Sequence, residues 1–142
     1  MPLPHHLSCS QPHARLFQLA DGRFQVVEEG ELAPLMIGHG YVLVEAGLAQ
    51  YLVDLHLPGV EIIDAIIYEP WLRQEISTYK QLRIDQHFRW DMIRDIDLDG
   101  ETFLLMDQEY VFVTAPLRER LQASGFDYLR FSEGLDGFAG QV

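Results

Sequence analysis

A single cysteine, Cys9, is all that 142 residues offer for covalent cross-linking, so no internal disulfide can staple this chain. Stability has to come from a packed core, and an uncrosslinked thiol fits a reducing cytoplasm. As a nucleophile Cys9 would need a histidine held against it by the fold; among Ser, Pro and His neighbours a plain thiol is the simpler reading. Basic side chains are also scarce. Ten Lys plus Arg stand against 22 Asp plus Glu, a formal net charge of −12. Nucleic acid and anionic membrane surfaces both demand a basic footprint, so neither is an expected partner. A surface of this sign attracts a basic protein or a divalent cation, or serves solubility alone. No run approaches the roughly 18 apolar residues of a membrane-spanning helix. The start, Met1 to Ala14, lacks the basic residues and apolar stretch of a secretory signal.

Catalytic signatures are missing too. The chain has no Gly-x-Ser-x-Gly elbow, His-Glu-x-x-His pair, phosphate-binding loop or dinucleotide fingerprint. His39, His56, Glu61 and Asp64 have no spacing that dictates an acid–base pair. His56, at the end of an expected helix, has a sufficient role near the terminal carbonyls. Asp95-x-Asp97-x-Asp99-Gly100 copies the opening of a calcium-binding EF-hand loop. The closing position, where a bidentate glutamate belongs, is Met106, and the flanks read as strands. The expectation is therefore no enzyme, no metal and no cofactor, with the aspartates guarding a strand edge.

What the chain does contain is one pattern written twice. Residues 41–62 (YVLVEAGLAQYLVDLHLPGVEI) and 110–131 (YVFVTAPLRERLQASGFDYLRF) align without a gap. They are identical at Tyr41/Tyr110, Val42/Val111, Val44/Val113, Ala46/Ala115, Leu48/Leu117 and Leu52/Leu121. Each copy opens on four β-branched, aromatic or leucine side chains, the mark of a buried strand. Leu48, Tyr51, Leu52 and Leu55 then fall on one helical face. In the second copy Thr114 can cap the helix, Pro116 suits its first turn and Gly125 its end. Strands follow at Val60–Ile63 and Tyr128–Phe131. With 48% apolar and 11% aromatic residues, this predicts a single α+β domain over 15–142, with two strand-helix-strand repeats and antiparallel hairpins.

Around the repeats, residues 1–14 read as a flexible leader of three prolines and three histidines. Asp21-Gly22 predicts a tight hairpin over 15–29, followed by the acidic turn Glu28-Glu29-Gly30-Glu31. Gly38-His39-Gly40 is a turn with an incidental histidine. Asp64–Tyr68 is extended or a short helix, and Glu69-Pro70 opens a helix through Trp71, Leu72, Glu75, Ile76 and Tyr79. Leu82–Trp90 reads as a strand. Met92–Leu98 and Glu101–Met106 read as a hairpin about Asp99-Gly100. After Phe131 a glycine-rich tail is expected to be poorly ordered, with Leu135 and Phe138 docking back.

From Tyr41 onward, over about 90 residues, the chain resembles the "Imm-eleven" immunity proteins of bacterial polymorphic toxin systems. VLVEAGLAQYLVDLHLPGVEII is similar to the family's strand, helix and "gv-e-h" strand. YVFVTAPLRERLQASGFDYLRF is similar to its C-terminal run, in which a strand ending in Val-Ser or Val-Thr leads into a helix, a glycine and an aromatic strand. The resemblance implies no catalytic residues. It implies a cytoplasmic protein that binds and neutralises a cognate toxin, such as one delivered between cells by type VI secretion. The expected toxin is basic. The expected contact surface is the acidic hairpin Asp91, Asp95, Asp97, Asp99 and Glu101 with Trp90, and secondarily Glu69 and Trp71. The alternatives are a small acidic structural or adaptor domain forming a homodimer through an uncovered sheet edge and, third, a metal-dependent or hydrolytic enzyme.

Overall fold

The computed structural model describes residues 3–89, 91–92 and 96–134. Its first element is β1 (His5–Cys9), inside the expected leader. The expected hairpin joins β2 (Leu16–Gln18) to β3 (Phe24–Val26), but not through the type I′ turn that Asp-Gly signals: Gly22 has φ 96° while Asp21 does not have positive φ, the Leu19 amide donates to the Arg23 carbonyl at 2.7 Å, and the Asp21 carboxylate accepts from the Arg23 amide at 3.0 Å. β4 (Leu35–Gly38) and β5 (Tyr41–Glu45) form the next hairpin, and α1 (Ala46–Leu55) follows directly. The Glu45 side chain caps α1, accepting from the Gly47 and Leu48 amides at 2.7 Å each, and His56 closes it at φ 51°. Pro58-Gly59 then turns into β6 (Val60–Asp64).

The predicted helix from Glu69 is instead a hairpin of β7 (Ile67–Glu69) and β8 (Gln74–Ile76). The Glu69 carboxylate does cap backbone amides, but those of a four-residue turn that Arg73 closes at φ 53°. β9 (Tyr79–Ile84) and the short β10 (His87–Phe88) occupy the expected strand 82–90. β11 (Phe103–Met106), β12 (Tyr110–Val113), α2 (Ala115–Ala123) and β13 (Leu129–Glu133) complete the chain. Leu135 and Phe138 lie outside the described residues.

Three sheets result, with strand orders β10-β11-β12-β1-β13 (sheet A), β2-β3-β7-β8 (sheet B) and β4-β5-β9-β6 (sheet C). In sheet C, Lys80 of β9 lies between Val44 of β5 and Asp64 of β6, and the next row is Leu43, Gln81 and Ile63. In sheet A, His5 of β1 lies between Val113 of β12 and Glu133 of β13, and the next row is Phe112, His6 and Ser132. Both central strands run antiparallel to both neighbours. The backbone amide of each helix-capping residue also reaches back to the residue before the preceding hairpin: Glu45 to Pro34 at 2.8 Å and Thr114 to Thr102 at 3.1 Å.

Burial on both faces explains the apolar runs. Val42 and Val44 face a core shared with Val111 and Val113, Leu48 and Leu52 of α1, and Leu117 and Leu121 of α2. On the opposite face of sheet C, Met36, Tyr41 and Leu43 pack against Phe24, Val26 and Ile67 of sheet B. On the opposite face of sheet A, Phe112 packs with Leu104, Met106, Phe88 and Leu98. A strand covered on both sides reads as continuous hydrophobicity rather than alternation. β1 is likewise structural: His5 is 6% exposed and Leu7 3%. The leader expectation fails because β12 and β13 each present an edge that only this segment fills.

Candidate functional site

Shifted ionisations are the natural place to look for chemistry, and here they trace the scaffold. Burial lowers the pKa of His5 and His6, the former also disfavoured as a cation by Arg118. Burial and the Glu45 carboxylate raise that of Tyr128, whose hydroxyl donates to Glu45 at 3.1 Å and so braces the α1 cap. Tyr79, also raised by burial, donates to the Ala33 carbonyl at 2.8 Å. Among the described residues no group of three His, Cys, Asp or Glu side chains could hold a metal. A broad cleft of about 690 Å³ opens between the β2–β3 turn and the outer face of β9 and β6. Several charges in and beside it are paired. Arg23 pairs with Asp21 at 2.9 Å and lies 5.7 Å from the Tyr68 ring centre, Arg83 stands 3.9 Å from Glu61, and Lys80 binds Asp64. Nothing in it pairs a base with a nucleophile.

The acidic residues singled out in the sequence have different surroundings. Trp90 and Asp95 lie outside the described residues. Asp91 is exposed and 3.5 Å from Arg89. Asp97 turns back on its own backbone, accepting from the Asp99 amide at 3.0 Å, while Asp99 faces solvent. Glu101 is gripped by the Arg120 guanidinium, with Nη2 donating to Oε1 at 2.7 Å, and this pairing holds its carboxyl below the usual range. Among the described residues, the hairpin expected about Asp99-Gly100 does not form. β11 pairs antiparallel with β12 along its length and parallel with β10 at Leu105 and Met106, and residues 96–101 form no strand. That segment instead drops Leu98, 5% exposed, onto Phe112 and its neighbours.

Glu69 and Trp71 fare differently. The Glu69 carboxylate accepts from the Trp71 amide at 3.3 Å and the Leu72 amide at 2.5 Å, fixing the β7–β8 turn. Two large apolar side chains are thereby held out in water, Trp71 at 50% and Leu72 at 68% exposure. Sheet B places more beside them. β3 and β7 are parallel, with Phe24 opposite Ile67 and Gln25 opposite Tyr68, so the chain leaving β3 emerges at the same end as the β7–β8 turn. That chain is Val27, 45% exposed, followed by the acidic turn Glu28-Glu29-Gly30-Glu31. The row Phe17, Gln25, Tyr68, Glu75 crosses the outward face of the sheet, with Phe17 at 62% exposure on its far strand. Leu16, Val26 and Ile67 on the inward face are buried.

Sequence reasoning passed over Phe17, Val27 and Leu72, and read the glutamates as an ordinary turn. Only the parallel β3–β7 pairing joins them, and parallel pairing leaves no local mark. Compared with protein-family models, curated proteins and solved structures, the chain matches none significantly.

Proposed function

We propose that this chain is an immunity protein, which binds a cognate bacterial toxin in the cytoplasm and blocks it by tight protein–protein contact. One observation carries the reading: a turn braced by Glu69 exposes Trp71 and Leu72 on a molecule of net charge −12. Trp is enriched among residues that dominate binding energy, and a side chain already fixed in place loses little entropy on docking. A toxin turns over many substrates, so its inhibitor must capture it fast. A strong negative field raises association with a basic partner toward about 10⁸–10⁹ M⁻¹s⁻¹. Like charge at the same time opposes pairing with a second copy, which ranks the homodimer reading below this one. The test is survival. Cells expressing the neighbouring gene product should die, cells expressing both should live, and the two proteins should co-purify. Survival without this protein would refute the reading.

The two strand-helix-strand stretches are, in this reading, copies of one unit: β4-β5-α1-β6 completed by β9, and β11-β12-α2-β13 completed by β1. The matching rows through Lys80 and His5 support it, as do the paired contacts of Glu45 and Thr114. The chain break then falls between β13 and β1, where the Gly134 amide donates to the Pro4 carbonyl at 2.8 Å. A circular permutant that joins residue 134 to residue 4 through a short Gly-Ser linker, and opens at the exposed Ser77-Thr78 step, should fold and melt cooperatively. Loss of the cooperative melt would count against two equivalent units.

A further inference from the structure

We infer that the docking surface is the outward face of sheet B at its β7–β8 end, and that its occupant is a basic surface of another polypeptide. The inference rests on the protein-binding reading and adds to it the place and the chemistry. Trp71 and Leu72 are the exposed apolar side chains of the β7–β8 turn, Phe17 lies on the outward row of the same sheet, and Val27 follows the inward Val26. Scattered single exposed apolar residues need no explanation, whereas several on one face with a polar rim mark an interaction site. The rim here is acidic. Glu28, Glu29 and Glu31 leave β3 at the same end of the sheet as the β7–β8 turn, and Glu69 and Glu75 belong to that hairpin. Among the described residues, Arg15 and Arg73 are the cations at this end, while Arg23 is engaged by Asp21 and lies over Tyr68. Five carboxylates against two guanidiniums, counted among the described residues, leave a negative margin, which complements lysines and arginines around an apolar pocket.

The geometry also says why this face is unoccupied within the fold. Sheet B covers sheet C with its inward side, through Phe24, Val26 and Ile67 against Met36, Tyr41 and Leu43. Among the described residues, no core cluster packs on its outward side. A second copy would bring the same glutamates against these and repel. The acidic segment 91–101 lacks these features: Glu101 and Asp97 are already engaged, and Leu98 is turned inward.

The probe is a pair of displayed peptide libraries, one enriched in Lys and Arg and one in Asp and Glu, panned against the intact chain. The basic library should yield binders and the acidic one none. Binding of the selected peptides should fall about 30-fold or more in W71A/L72S, as for a hot-spot pair. E28K/E29K/E31K should lower it about tenfold at low salt and flatten its salt dependence. D91K/D99K should leave it unchanged. All four substituted regions are exposed, so an unchanged melting temperature is the folding control. Acidic binders, or basic binders lost in D91K/D99K and kept in W71A/L72S, would overturn the assignment. In the survival experiment, protection retained by W71A/L72S would overturn this face alone. A wild-type chain that fails to protect would overturn the protein-binding reading beneath it.

Discussion

A chain begun at residue 10 is expected to lose its cooperative thermal transition. β1 is the middle strand of its region of sheet A, paired with β12 through His5 and His6 and with β13 along its whole length. Removing it withdraws Leu7 from the shared core, a large-to-small loss of about 2–5 kcal/mol if only the side chain were cut. The backbone groups of β12 and β13 that faced β1 would also be stranded beside Val113 and Leu129, at about 1–3 kcal/mol for each that water cannot reach. Small domains are stable by only about 5–15 kcal/mol, so these losses together exceed what the fold can absorb. Circular dichroism should show reduced strand signal and a broad or absent melt. Adding a synthetic peptide of residues 1–9 should restore part of both. A truncated chain melting within a few degrees of the intact one would mean that β1 is an accessory strand.

That strand also marks where legibility stopped. His-His-Leu-Ser-Cys has no β-branched residue and one aliphatic side chain, so nothing local distinguishes it from a solvated leader. It is a strand because two edges far along the chain require a filler. Tyr41–Val44 and Tyr110–Val113 were readable for the opposite reason: they are covered on both faces, and that demand is written into every position. Pro116 and Gly125 likewise announced α2, since first turns and helix ends are local chemistry, whereas Thr114 holds the N-cap position without a side-chain cap bond, its hydroxyl accepting instead from the Thr102 amide at 3.2 Å. The β7–β8 hairpin was mistaken for a helix because Glu-Pro followed by Trp and Leu imitates a helix start. The same glutamate binds amides two and three residues on in either structure. Of the candidate face, Glu69 and Trp71 stood out in the sequence, whereas the Glu28–Glu31 turn read only as a turn. The rest was a matter of which strand lies beside which.

Leu121→Ala should test whether the core is truly common to the whole molecule. Leu121 belongs to α2, yet at 1% exposure it borders the same small apolar void as Leu48 and Leu52 of α1, Val42 and Val44 of β5, and Leu82 of β9. Truncation should cost about 2–5 kcal/mol, because neighbours held by two sheets can collapse only partly into the space. If the sheets shared only a boundary, the loss would stay local, and amides of β12 and β13 alone would exchange faster. With one core, amides of β5 and β9 should accelerate by the same factor as those of β12, about 30-fold or more for 2 kcal/mol, and a single melting transition should persist at lower temperature. Two separate transitions would show instead that the chain is a pair of independently stable units. The exposed sheet B hairpin would then be anchored to only one of them.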